Sequence, residues 1–489
     1  MVMPGVDPAW PTRRHSAALL VGGLLAAGLV GVSWFSALNA YSNMPLLITM
    51  VVACVLLWTV DEGLGVLLVL ALSLLDMRTQ WHKVDIRLFE AFTIIVTPLS
   101  LLAERRSFLH GWRGNLPASV AALLPYVGFA VVTAAVSISP AKSAVFDLRL
   151  ITTLVFAWLA ATALRTLETE RPSIIDRALA VGVGLLVLVG LVQQLEGKGF
   201  LQVLADGGWV PFMSAESLSR SSGSFYIGHS GNLRPFSFFA TPHVHAIVVG
   251  LTALFLLGRE GARMPVKVVA GLCLASLLFS DVYGVFVGMV TALGATVMVL
   301  ATRRSRTAAW SVAGAFSLLA LLLVNNVKGL VGQLVLRGFG IRLQLWAVGL
   351  ATFEAHPVLG AGPGTSPLNL RDFDASFGYD FDHLHNWFLE VLSETGIIGF
   401  AFFILFVALL ARAAMRQVRS GSSSAWSAVW VASFFLGCNV VDSFAGGGNI
   451  ALLWFLLLLA LATAVAAPTG ARAQGVGMSN LKEPPFAVA

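Results

Sequence analysis

The stretch Ile450-Ala-Leu-Leu-Trp-Phe-Leu-Leu-Leu-Leu-Ala-Leu-Ala-Thr-Ala-Val-Ala-Ala467 contains no charged residue. A helix needs about 20 mostly apolar residues to cross the hydrocarbon of a bilayer, and this run, taken as 449–467, nearly fills that length. Similar runs lie near 16–36, 44–60, 63–75, 86–103, 117–136, 144–164, 175–193, 240–258, 265–280, 283–301, 308–325, 386–411 and 425–441. Together they make fourteen. The short pairs around Asp61–Glu62 and Ser280–Asp281 could be broken or re-entrant helices, so twelve spans is the alternative. Of 489 residues, 57% are hydrophobic and 11% are charged, where a soluble chain carries roughly a quarter charged. The composition excludes a soluble globular enzyme, a disordered chain and a disulfide scaffold. Lipid admits only backbones that satisfy their own hydrogen bonds, and the alternating pattern of a membrane barrel is absent. The expected fold is all-α: a polytopic membrane bundle of 12–14 transmembrane helices.

Lysine and arginine set the expected orientation. With the N-terminus in the cytoplasm, 19 of the 31 basic residues fall on that side, in groups such as Arg303, Arg304 and Arg306 or Arg412, Arg416 and Arg419. Both termini are then cytoplasmic, and the first apolar run is a retained anchor. The basic residues are scattered between apolar runs, which speaks for topology and against nucleic acid. Cys54, Cys273 and Cys438 each sit inside an apolar run and read as small core residues. The chain divides into N-terminal transmembrane helices (1–193), a first long outer loop (194–239), central helices (240–325), a second long outer loop (326–385), C-terminal helices (386–467) and a tail (468–489). Long loops in a compact bundle tend to carry function. These two hold aromatics, glycines and most of the outward-facing charge.

In the second loop, Arg342, Trp346, Gly349 and Phe353 are spaced to share one helix face. An arginine there can grip a phosphate bidentately or snorkel at the headgroup level. Gly360, Gly362 and Gly364 would let backbone approach a ligand closely, although no strand precedes them as in a nucleotide fingerprint. His385 lies where the loop re-enters the apolar run. A histidine can take a hydroxyl proton near neutral pH or simply be a satisfied interfacial residue. Glu390, one turn past Asn386, is a candidate to orient that imidazole, with packing or a solvated face as its other role. Two His-x-His pairs, His243/His245 and His383/His385, have zinc-compatible spacing. Asp372-Phe-Asp374 and Asp380-Phe-Asp382 resemble Asp-x-Asp cation motifs. In both cases the expectation is no metal.

The block His385-Asn386, nine residues, then Gly396-Ile-Ile-Gly399, resembles the signature of bacterial O-antigen ligases and their relatives, the O-antigen and exopolysaccharide polymerases. The stretch Arg342…Trp346…His356-Pro…Gly360-Ala-Gly362, and Arg234-Pro-Phe-Ser-Phe-Phe-Ala-Thr-Pro242 in the first loop, are similar to segments of the same superfamily, whose likeness covers roughly 230–410. The chain departs from the family at Ser280-Asp281-Val282-Tyr283-Gly284, which lacks the usual arginine, and at His243-Val-His245, where asparagine is usual. The resemblance implies a lipid-dependent glycosyltransferase fold of GT-C type in the bacterial inner membrane, with the active site and both long loops periplasmic. It implies a glycan donor on undecaprenyl diphosphate, an acceptor hydroxyl on lipid A-core, and no cofactor. His385 would be the general base. Arg342, Arg234 and, more weakly, Arg337 would hold the diphosphate, supported by Asn386, Trp346 and Gly362. A polymerase using a second lipid-linked repeat as acceptor is the alternative; a polysaccharide or lipid transporter ranks below both.

Overall fold

The computed structural model describes residues 44–73, 78–81, 84–103, 117–171, 173–196, 242–280, 282–305, 307, 311, 330–370, 383–422, 424–442 and 450–463. Arg234, the Asp-x-Asp motifs, the first apolar run and the tail lie outside the described residues. The helices are α1 (Met44–Val60), α2 (Glu62–Ser73), α3 (Leu88–Ala103), α4 (Ala118–Ala134), α5 (Pro140–Glu170), α6 (Ile174–Glu196), α7 (Pro242–Gly258), α8 (Met264–Ser276), α9 (Tyr283–Arg304), α10 (Leu330–Ala355), α11 (Ser366–Asn369), α12 (Trp387–Arg419), α13 (Ala425–Cys438) and α14 (Ile450–Ala462). A small antiparallel hairpin, β1 (Arg78–Trp81) and β2 (Val84–Arg87), pairs Arg78 with Arg87 and Trp81 with Val84. The protein is an all-α membrane bundle with that one ribbon among its described residues.

Among the described residues four helices, α5, α6, α9 and α12, are long and apolar enough to cross a membrane. At 1.5 Å per residue, the 31 residues of α5 span about 45 Å. Pro140 opens that helix, where its missing N–H would be unpaired anyway. The centre is made by α7, α13 and α14. Every residue of α14 is buried, as expected of a helix that is apolar all round. Phe435 of α13 stacks on Phe455 of α14 with centroids 4.0 Å apart. The three cysteines are free and buried.

The two ends of the bundle differ. At one end, Arg259 after α7 pairs with Glu168 of α5 and, at 3.2 Å, with Asp176 of α6. Arg165 donates to the Ala460 carbonyl at 2.7 Å, which ties α5 to α14. At the other end, the start of α12 is fastened to the end of α13: Trp387 N–H donates to the Asn439 carbonyl at 2.9 Å, and the Trp387 ring packs edge-on against Phe403 and Phe435. That second junction positions the site.

Candidate functional site: an aspartate shared by an imidazole and a guanidinium

His385 stands immediately before the cap of α12. Its φ of 52° is left-handed, a conformation that a side-chain-bearing L residue rarely adopts and that tends to persist at functional positions. The following Asn386 is the N-cap, and its side-chain oxygen accepts from Leu389 N–H at 3.0 Å. The cap fixes where the helix starts, and the left-handed residue before it turns the ring off the helix axis.

The ring meets Asp442. His385 Nδ1 lies 2.9 Å from Asp442 Oδ1. Asp442 is 57 residues further along, just past the end of α13, and 1% exposed. An ionised carboxylate can only accept, so Nδ1 carries a proton, and the neutral tautomer this selects is the one with its lone pair on Nε2. Burial alone would raise the Asp442 pKa, but His243, His385 and Arg342 outweigh it and hold the carboxyl below its ordinary range. The carboxylate partner of the ring is thus Asp442 and not Glu390, which is buried on α12.

Arg342 on α10 converges on the same atom. Its guanidinium stands 3.6 Å from Asp442 Oδ1, and its Nε–H donates to the Val441 carbonyl at 3.0 Å. The guanidinium carbon also lies 5.8 Å from the centroid of the Tyr283 ring, within cation–π range. Tyr283 belongs to the segment where the sequence departs from the family pattern. The Arg342/Gly349 side of α10 packs toward α12: a Cβ on Gly349 would come 2.6 Å from Leu384 Cδ1 and 3.0 Å from Leu389 Cγ. A small apolar cluster of Leu345, Leu370 and Leu384 seals α10 against the turn that bears the histidines. Trp346 is partly buried on the same helix. Arg337 lies in α10 as well, more than one turn before Arg342.

His383 completes the cluster, its ring centroid 4.2 Å from that of His385. Burial first, then His385, His243 and Arg342, push its pKa well below 6.5 against the pull of Asp442. His383 is therefore neutral at neutral pH. Ligand atoms of His383, His385 and Asp442 all lie within 4.8 Å of one another. By donor type the set could take a divalent cation. Arg342 already places a positive charge against the shared carboxylate, however, and Asp442 Oδ1 is engaged with Nδ1. The other His-x-His pair lies at the start of α7: His245 is buried there, and His243 is near enough to act electrostatically on Asp442 and His383.

The glycine run closes on the protein itself. Gly362 sits at φ 113°, and a Cβ there would overlap Ser137; its N–H donates to the Glu394 carbonyl at 2.8 Å. A cavity of about 1260 Å³ lies away from the histidines, among Trp58, Asp61, Leu164, Arg171, Leu179 and Trp454. Its walls are mainly apolar and none of the His–Asp–Arg residues lines it. The void is lined by Asp61, Glu62, Glu170 and Arg171 but by no histidine, and a base that works near neutral pH is most often an imidazole, so the His–Asp–Arg cluster is the candidate site.

Residues 268–404 match the family model described as O-antigen ligase. Over those residues the chain is similar to the O-antigen ligase superfamily. The match covers just over a quarter of the sequence and includes Arg342, Trp346, Gly362, His385 and Asn386. Members of this superfamily are membrane glycosyltransferase-like enzymes. No curated protein matches the chain. Asp442 lies beyond the O-antigen ligase segment, and sequence motifs did not point to it. One signal was available: Asp442 is the first charged residue after the apolar run 425–441.

Proposed function

We propose that the protein transfers a glycan from undecaprenyl diphosphate to a hydroxyl of lipid A-core on the periplasmic face of the bacterial inner membrane. The observation that carries this proposal is the shared carboxylate: Asp442 accepts from His385 Nδ1 and pairs with Arg342, so a basic nitrogen and a fixed cation stand side by side.

The acceptor hydroxyl approaches His385 Nε2 and gives it its proton as the oxygen attacks the anomeric carbon. The bond from that carbon to the diphosphate oxygen breaks, and the lipid diphosphate leaves with the electron pair. Asp442 stabilises the imidazolium that forms. A positioned base contributes about 10²–10⁴-fold. Arg342 meets the charge growing on the leaving oxygen. Arginine has five N–H donors, so one guanidinium can hold a carboxylate and a phosphoryl oxygen together. Its charge survives burial, and fixed charge in a water-poor site is the largest single aid to such a step. Arg234 and Arg337 are proposed as further diphosphate ligands. The prenyl tail would run between the helices beside the outer loops.

The test is to incubate purified protein with lipid-linked repeats, with and without lipid A-core. Product only in the presence of core supports the ligase. Laddering without core makes it a polymerase, and no turnover in either tube removes the proposal. Cysteine labelling at both long loops from the periplasmic side only is the topology result expected; labelling from the cytoplasm alone contradicts it.

A further inference from the structure

After α10 the chain returns to the bundle as a strap, residues 356–370, that passes the start of α5 before the histidine turn. Three backbone hydrogen bonds to α12 hold its path. Ala361 N–H and Gly362 N–H donate to the carbonyls of Ser393 and Glu394 at 3.0 and 2.8 Å, and Ile397 N–H donates to the Pro357 carbonyl at 2.9 Å. On the outer side, Ser143 Oγ–H donates to the Pro363 carbonyl at 2.7 Å and Ile138 N–H to the Ala361 carbonyl at 2.9 Å.

At the centre of the strap sits the Glu394 side chain, 2% exposed. Its Oε2 accepts from Gly364 N–H at 2.9 Å, and its Oε1 accepts from Ser366 N–H at 2.9 Å and from Ser366 Oγ–H at 2.7 Å. Successive backbone N–H groups turned to one point form a nest suited to an anion. Here the protein fills the nest with its own carboxylate. Two residues later α12 is broken: Gly396 has φ 64° and ψ −170°, and a Cβ there would overlap the Val358 carbonyl. The break lets the first two turns of α12, Trp387–Thr395, follow the strap rather than the rest of the helix.

We propose that Glu394 is a positioning residue: through Gly364 and Ser366 its carboxylate holds the strap that follows the Arg342 helix in register with the helix that starts beside His385. It touches none of the reacting atoms. It fixes the spacing between guanidinium and imidazole by clamping, at one buried point, the strap that leaves the Arg342 helix to the helix that follows His385. The catalytic half of this inference rests on His385 being the base; the structural half does not.

The experiment compares Glu394→Ala and Glu394→Gln with wild-type protein in three measurements on the folded fraction. The first is amide exchange in peptides covering 361–366. The second is the rate at which diethyl pyrocarbonate modifies His385, read by mass spectrometry. The third is transfer with lipid-linked repeats. Hydrogen bonds to a charged group are worth about 1.5–3 kcal/mol, so exchange at 361–366 speeds up about tenfold or more in Glu394→Ala. His385 modification changes in the same variant. Transfer per folded molecule falls about a hundredfold, as a misplacement near 1 Å would cause. Glu394→Gln is intermediate in all three, because its amide oxygen still serves Ser366 while its NH₂ opposes Gly364 N–H. If Glu394→Ala does not fold, Ser366→Ala, which removes only the Oγ–H bond, takes its place with a smaller shift in the same direction. Unchanged protection at 361–366 overturns the inference. So does lost protection with His385 modification at its wild-type rate. An inactive wild-type protein would refute the proposed function alone, since exchange and His385 modification still decide the role of Glu394.

Discussion

Replacing Asp442 with asparagine keeps the shape of the side chain and removes its charge. In the wild-type protein the carboxylate accepts from His385 Nδ1 at 2.9 Å, which selects, for a neutral ring, the tautomer with its lone pair on Nε2. An asparagine can turn its NH₂ toward Nδ1 instead. That choice moves the ring proton to Nε2, the atom that must receive the acceptor's proton. Losing the base costs the 10²–10⁴-fold that positioned proton transfer contributes, about 3–5 kcal/mol of barrier at 1.36 kcal/mol per tenfold. There is also a stability component. Arg342 is buried and stands 3.6 Å from the same oxygen, and a buried charge that loses its partner destabilises by about 3–5 kcal/mol. The separation exceeds hydrogen-bond distance, so the lower end of that range is expected. The two effects separate when the folded fraction is measured by size exclusion and kcat is expressed per folded molecule. The decisive assay is a cycle of Asp442→Asn, His385→Ala and the double variant. If the pair acts as a unit, the double variant is about as slow as the slower single one. Wild-type kcat in Asp442→Asn, or losses that multiply in the double variant, would refute the shared-carboxylate mechanism.

Arg342→Lys loses both the Nε–H bond to the Val441 carbonyl and the planar fork; kcat/KM for the donor falls about tenfold to a hundredfold, and unchanged donor kinetics count against phosphate binding. Asn386→Ala removes the cap of α12 and lowers stability by about 1 kcal/mol, read as a drop in the thermal midpoint with His385 chemistry largely retained. The pKa of His383 is lowered in the folded protein. The unfolded chain therefore takes up a proton below pH 6.5 that the folded one refuses, and stability falls with falling pH by at most about 1.4 kcal/mol per unit. His383→Gln flattens that slope between pH 7.5 and 5.5 (about one unit either side of the free imidazole value); an identical slope in both proteins would show the proton goes elsewhere. Transfer persists in EDTA if Arg342 supplies the positive charge, whereas loss of activity restored by Mn²⁺ would assign His383, His385 and Asp442 to a metal.

Apolar periodicity made the bundle legible. The runs at 240–258, 283–301 and 386–411 correspond to α7, α9 and α12, with ends displaced by a few residues or, for α12, extended to Arg419. Helix ends are governed by caps and tertiary contacts more than by hydropathy, and Asn386 is such a cap. The hairpin at 78–87 was invisible between two apolar runs because ladder pairing over so few residues leaves almost no pattern. His385 and Arg342 could be singled out as candidates because motif spacing in sequence reflects their place on one short segment. Asp442 was not, because its role comes from packing: α12 and α13 meet through Trp387 and Asn439. In sequence the glycine run allows a close approach of backbone to a ligand. Glycine reports only that backbone comes close to something, and here that something includes Ser137 and the Glu394 segment.

The border of the family match has a practical meaning. Residues 268–404 contain the imidazole and the guanidinium, but the acid that aims both lies outside them. Grafting that segment onto a relative would transplant two of the three residues of the proposed catalytic cluster and borrow the third from the host. Such a chimaera should work only where the recipient's own helix end delivers a carboxylate to the same spot, so exchange between family members is limited by geometry at the seam rather than by likeness within the block.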